Sequence, residues 1–103
     1  MPDEDFEVPL DPERLNWLRA RFTTANGQVV RFAVQYETVV EGKRLPLVRY
    51  DNAHGTSHRD ILKDGEPPQK LWFEGMSPGE VMTMAIQDLK LNWRRYKRQI
   101  RGE

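Results

Sequence analysis

At 103 residues the chain has room for one domain and not two, and its 38% hydrophobic content against 31% charged implies a modest core. Sixteen basic and sixteen acidic side chains cancel, so overall charge gives no attraction to nucleic acid. No apolar run approaches the roughly 20 residues that span a membrane, and no secretory signal precedes the first acidic residues. The absence of cysteine excludes disulfides and thiolate metal sites, as suits a reducing cytoplasm.

The balanced charge is unevenly distributed. Asp3, Glu4, Asp5, Glu7, Asp11 and Glu13 make the start acidic, and Lys90, Arg94, Arg95, Lys97, Arg98 and Arg101 make the end basic. Residues 1–14, with Pro2, Pro9 and Pro12 among the acids, read as an extended acidic arm that docks, if at all, through Phe6, Val8 and Leu10. Residues 15–101 read as a single α+β domain.

Regular pattern begins near Leu15. Leu18, Ala20 and Phe22 alternate with Arg19, Arg21 and Thr23, the period of a half-buried strand. Asn26-Gly27 then accepts the positive φ angles of a type I′ turn, and Val30, Phe32, Val34 and Tyr36 continue the alternation. Glu41-Gly42-Lys43 supplies a second turn before a strand over Leu45–Tyr50, where Pro46 predicts an edge position or a strand start. Short strands are expected at His58–Leu62 and Lys70–Phe73. The predicted sheet is an antiparallel meander of four to five strands.

Ser77-Pro78-Gly79-Glu80 opens a helix, with Ser77 as N-cap, Pro78 at the first position and Glu80 completing a capping box. Val81, Met82, Ala85, Ile86, Leu89, Trp93, Tyr96 and Ile100 form one broad apolar stripe suited to covering a sheet. The stretch to Arg101 is roughly 36 Å long, about the diameter of such a domain, so its basic end should reach the rim of the sheet. Met84 and Leu91 lie outside the stripe, seven residues apart, and predict a second contact, with a homodimer as the first expectation.

The segment Arg49–Asp60 gathers both histidines, two arginines and two aspartates. An extended 54–58 stretch separates His54 and His58 by about 13 Å, too far for one metal ion, and Gly55 opposes a helical alternative; no metal and no cofactor are expected. Acid–base chemistry is the alternative, with His54 and His58 as proton donor and acceptor, Asp51 as orienter, and Arg49 or Arg59 on a phosphate. Asp51-Asn52 is equally ordinary turn chemistry, with Arg59 and Asp60 as strand residues pairing across a sheet. Arg94, Arg95 and Lys97 on the helix end are further candidates for phosphate contact.

The stretch Arg49-Tyr50-Asp51-Asn52, with His54 and His58 behind it, resembles the TumE-type toxins, small bacterial proteins of toxin–antitoxin modules. In this chain Gly55, Thr56 and Ser57 separate the two histidines. The resemblance implies a growth-inhibiting protein acting on RNA, encoded beside a helix-turn-helix antitoxin as protein partner. A non-catalytic dimeric interaction module is the competing expectation, and a nucleic-acid binder without chemistry, driven by the basic helix end, is a third.

Overall fold

The computed structural model describes residues 3–102. Six strands, β1 (Asp3–Pro9), β2 (Asn16–Ala25), β3 (Gln28–Val40), β4 (Lys43–Asp51), β5 (His58–Ile61) and β6 (Gln69–Trp72), precede one helix, α1 (Pro78–Arg101). The strands lie in chain order in one antiparallel meander. The α+β architecture is the one the sequence predicts, with one strand more than the expected four to five. The additional strand comes from the acidic arm: Phe6 pairs with Ala20 and Val8 with Leu18. Backbone pairing holds this edge, since most of β1 remains exposed. Its charges and Pro9 guard that edge against adding another strand.

Asn26 and Gly27 both have positive φ in a two-residue hairpin loop, and Glu41 and Gly42 repeat the arrangement. These conformations fit the twist of the flanking strands, which fixes the register of β2, β3 and β4. Pro46 sits inside β4 opposite Glu37, beside a bulge that leaves Leu47 as the extra residue. Pairing between β4 and β5 starts only at Val48, so the proline lies beyond the end of β5 and blocks no ladder with it.

The helix begins as predicted. Ser77 Oγ accepts from the Glu80 N–H, the Glu80 carboxylate accepts from the Ser77 N–H, and Gly102 closes the far end in a left-handed conformation. Val81, Ala85, Leu89, Trp93, Tyr96 and Ile100 are buried, against Leu18, Ala20, Val34, Tyr36 and Val48 of the sheet. Each of the valine, leucine and isoleucine side chains among them contributes about 1.5–3 kcal/mol by leaving water. Trp93 meets Tyr36 edge-on at 6.0 Å between ring centroids. The 24-residue helix runs nearly the length of a molecule measuring 41 × 27 × 21 Å. It packs on β2, β3 and β4, leaving the β5–β6 end of the same face largely uncovered. No helix among the described residues is long and apolar enough to cross a membrane.

The turn between β1 and β2 hangs on Asp11. Its carboxylate accepts from the Leu15 and Asn16 N–H groups and from the Asn16 side-chain amide, each at 3.0 Å. Asn16 Oδ1 in turn accepts from the buried Tyr36 hydroxyl. Burial pushes the Asp11 pKa up, but the hydrogen bonds from Asn16 and Leu15 outweigh it and hold the group below its ordinary value. Asp11→Ala should therefore cost about 1–2 kcal/mol at neutral pH in urea titrations. A depressed folded pKa gives stability that is present above the unfolded value and lost as pH falls through the folded one. The difference between wild type and variant should shrink over that acidic interval.

Candidate functional site

Strand β5 alternates His58, Arg59, Asp60 and Ile61 between two faces, and its register with β4 sets Asp51 beside His58, Tyr50 beside Arg59 and Arg49 beside Asp60. Arg49, Asp51, His58 and Asp60 therefore project away from α1, whereas Tyr50 and Arg59 project beneath it. The sequence grouping of His58 with Arg59 around one phosphate is corrected by this geometry, because a sheet separates them.

On the face away from α1, His58 is 2% exposed. Its Nε2 stands 3.2 Å from Asp60 Oδ2 and 3.8 Å from Asp51 Oδ1. Lys70 Nζ donates to Asp60 Oδ1 at 2.9 Å, and the Trp72 ring lies 4.9 Å from the imidazole between centroids. His58 Nδ1 is buried without a partner, a state costing about 1–3 kcal/mol. So enclosed, His58 cannot reach a substrate as half of an acid–base pair. His54 lies exposed on the loop joining β4 to β5, outside the carboxylate cluster. Asn52 uses its side chain as a substitute backbone, accepting from the Phe32 N–H and donating to the Val30 carbonyl, both at 3.0 Å. The Ala53 N–H donates to Asp51 at 3.1 Å. The turn chemistry of Asp51-Asn52 is thus present, and it extends the β3 edge while it aims Asp51 at His58. Arg49 Nε donates to Gln35 Oε1 at 3.0 Å across the same face.

Beneath α1 a second polar cluster centres on Asp88. The hydroxyls of Tyr50 and Tyr96 both donate to its Oδ2 at 2.6 Å, and the Asn92 amide donates to Oδ1 at 2.8 Å. Arg59 donates to the Tyr96 oxygen at 3.2 Å, while its Nε is buried without a partner. Burial and the bond to Asp88 push both tyrosine pKa values above the ordinary range. Arg59 is held as a cation: its burial acts against the charge, but Tyr96 and Tyr50 outweigh it.

Next to this network a cleft of about 430 Å³ opens between the second half of α1 and β5–β6. Arg59, Lys63, Arg95, Gln69, Tyr96 and Gln99 line it with Ile61 and Ile100, and none of the lining residues is acidic. Two predicted phosphate ligands, Arg59 and Arg95, thus meet here. Arg94 instead stacks on Trp93 at 4.4 Å, and Lys97 is half-buried further along the helix. Met84 packs against the core, while Leu91 is 80% exposed. Sequence reading missed Asp88, Lys63 and the glutamines. A signal existed for Asp88: successive 100° steps place it about 20° from Val81, inside the apolar arc, where a carboxylate needs partners.

These features define an antiparallel meander with one covering helix, a cationic cleft on the helix side and a histidine–carboxylate cluster on the other. The chain belongs to the DUF7718 family, described as a domain of unknown function, which it matches over residues 1–101. No curated protein and no solved structure matches it.

Asp88→Ala should strand the Tyr50 and Tyr96 hydroxyls and cost about 2–4 kcal/mol in denaturant unfolding. In spectrophotometric alkaline titration, two tyrosines of the wild type should ionise above the ordinary tyrosine range. The same two should titrate lower in the variant.

Proposed function

We propose that this protein is a toxin-like RNA-acting domain that grips the phosphate backbone in the cleft between α1 and β5–β6. The observation that carries this reading is the lining of that cleft: three cations, a tyrosine hydroxyl and two side-chain amides, with no carboxylate among them. Arg59 is oriented by Tyr96, which reduces the entropy lost when its guanidinium grips a phosphate. Arg95 supplies further charge from the helix, and Lys63, which also pairs with Glu66 at 3.8 Å, from the loop after β5. The global charge is zero, so the attraction is local, and the basic last turn of α1 extends it. The resemblance of Arg49-Tyr50-Asp51-Asn52 to TumE-type toxins supports RNA over other phosphate ligands. His54 is the histidine accessible for proton transfer in cleavage, since His58 is enclosed.

Single-stranded RNA should bind in fluorescence anisotropy with an affinity that falls as salt rises. The double variant Lys63→Ala/Arg95→Ala should flatten the salt slope by about 0.7 for each phosphate it no longer neutralises. Retention of full affinity and slope in that variant would sink the reading. His54→Ala should leave binding intact and abolish cleavage. Induced expression should arrest growth, and a helix-turn-helix gene is expected next to this one in the genome.

Leu91 favours a second reading, a dimeric interaction module. It is 80% exposed on α1, seven residues beyond Met84. Light scattering should then give a dimer mass for the wild type and a monomer mass for Leu91→Glu.

A further inference from the structure

The face of the sheet turned away from α1 holds a cluster that RNA binding in the cleft does not use. We propose that Asp51, His58 and Asp60 form a binding site for a divalent transition-metal ion such as zinc or manganese. One nitrogen or oxygen from each residue lies within 4.8 Å of the others, and all three side chains are buried or half-buried.

The geometry is close to what such an ion needs. Ligand atoms at about 2.0–2.2 Å from a metal stand roughly 3–4 Å apart. His58 Nε2 is 3.2 Å from Asp60 Oδ2 and 3.8 Å from Asp51 Oδ1, so a small inward movement of the carboxylates closes the set. One imidazole nitrogen and two carboxylate oxygens suit borderline cations better than soft ones. The charge count points the same way. Two carboxylates converge on the imidazole, and among the described residues the ammonium of Lys70 is the side-chain cation in ion-pair contact with them, Arg21, Arg31 and Arg49 standing on the same face without such a contact. Lys70 bonds Asp60 Oδ1 and leaves Oδ2 turned toward His58.

The backbone holds the ligands in place. Asp51 and His58 are cross-strand partners, His58 and Asp60 are two residues apart on one strand, and the Ala53 N–H anchors Asp51. Asp51 also lines a groove of about 520 Å³ together with Ala33, Arg21, Arg31 and the acidic Asp3, Glu4 and Asp5. That groove reaches the cluster at Asp51, the one of the three residues that lines it. The sequence spacing that disfavours a metal applies to His54 with His58; the fold pairs His58 with the aspartates of its own ladder instead.

This site stands apart from the RNA reading and is tested without it. The full-length chain, stripped with chelator, would be titrated with zinc and with manganese by calorimetry and thermal melting. One of the two should bind at a single site, and at a hundred times its Kd should raise Tm by about 10 °C or more. Asp51→Asn and Asp60→Asn, shown folded by circular dichroism, should each weaken binding at least tenfold. If Asp60→Asn fails to fold, Asp51→Asn alone decides. No binding of either ion at about 1 mM, a weak affinity by any measure, overturns the proposal. So does a single-site affinity that Asp51→Asn leaves unchanged, which would put the ion on the acidic strand β1.

Discussion

Successive side chains of a strand point to opposite faces, and in this molecule that period sorts the charged segment between Arg49 and Asp60 into two unrelated sets. Arg49, Asp51, His58 and Asp60 go to one side of the sheet, Tyr50 and Arg59 to the other. Slipping β5 by one residue against β4 would turn Arg59 toward Asp51 and carry both His58 and Asp60 beneath the helix. The hairpin loops fix that register in β2, β3 and β4, and Asn52 continues it into the loop before β5 by bonding to the β3 backbone. Both polar sites therefore depend on turn chemistry some distance away.

The helix side shows how a polar cluster is tolerated beside an apolar core. Asp88 lies in the same arc as Val81 and Tyr96, and two hydroxyls and an amide meet its carboxylate. Asp88 is only half-buried, but drawing its carboxylate partly out of water without those partners would be destabilising, so the buried Tyr50 and Tyr96 serve it as well as the core. Arg59 joins through Tyr96, and by doing so turns a packing feature into a cation-bearing wall. The helix packs mainly over β2 to β4, and this short reach across the sheet leaves that wall accessible.

The opposite face follows a different logic. No helix covers it, yet His58 is almost completely enclosed, with Trp72 against its ring and aspartates before its Nε2. Concentrating two carboxylates on one imidazole demands positive charge. Lys70 meets part of that demand, and a metal ion would complete it.

The amino-acid sequence by itself determined the local elements. Asn26-Gly27 and Glu41-Gly42 specify hairpins because their residues accept positive φ, and Ser77, Pro78 and Glu80 specify the helix start because they satisfy its free N–H groups. The buried stripe from Val81 to Ile100 was legible from periodicity, and the segment Arg49–Asp60 from the residue types crowded into it. The strand in the acidic arm was not, since β1 is held by backbone pairing and buries almost no side chain of its own. The tertiary structure decided which residues meet. Asp51 joins His58 and Asp60 through strand register, Arg59 joins Arg95 across a helix–sheet gap, and Tyr50 joins Asp88 from 38 positions away. Such meetings depend on how elements pack and in which register strands pair, and neither is encoded in the spacing of residues along the chain.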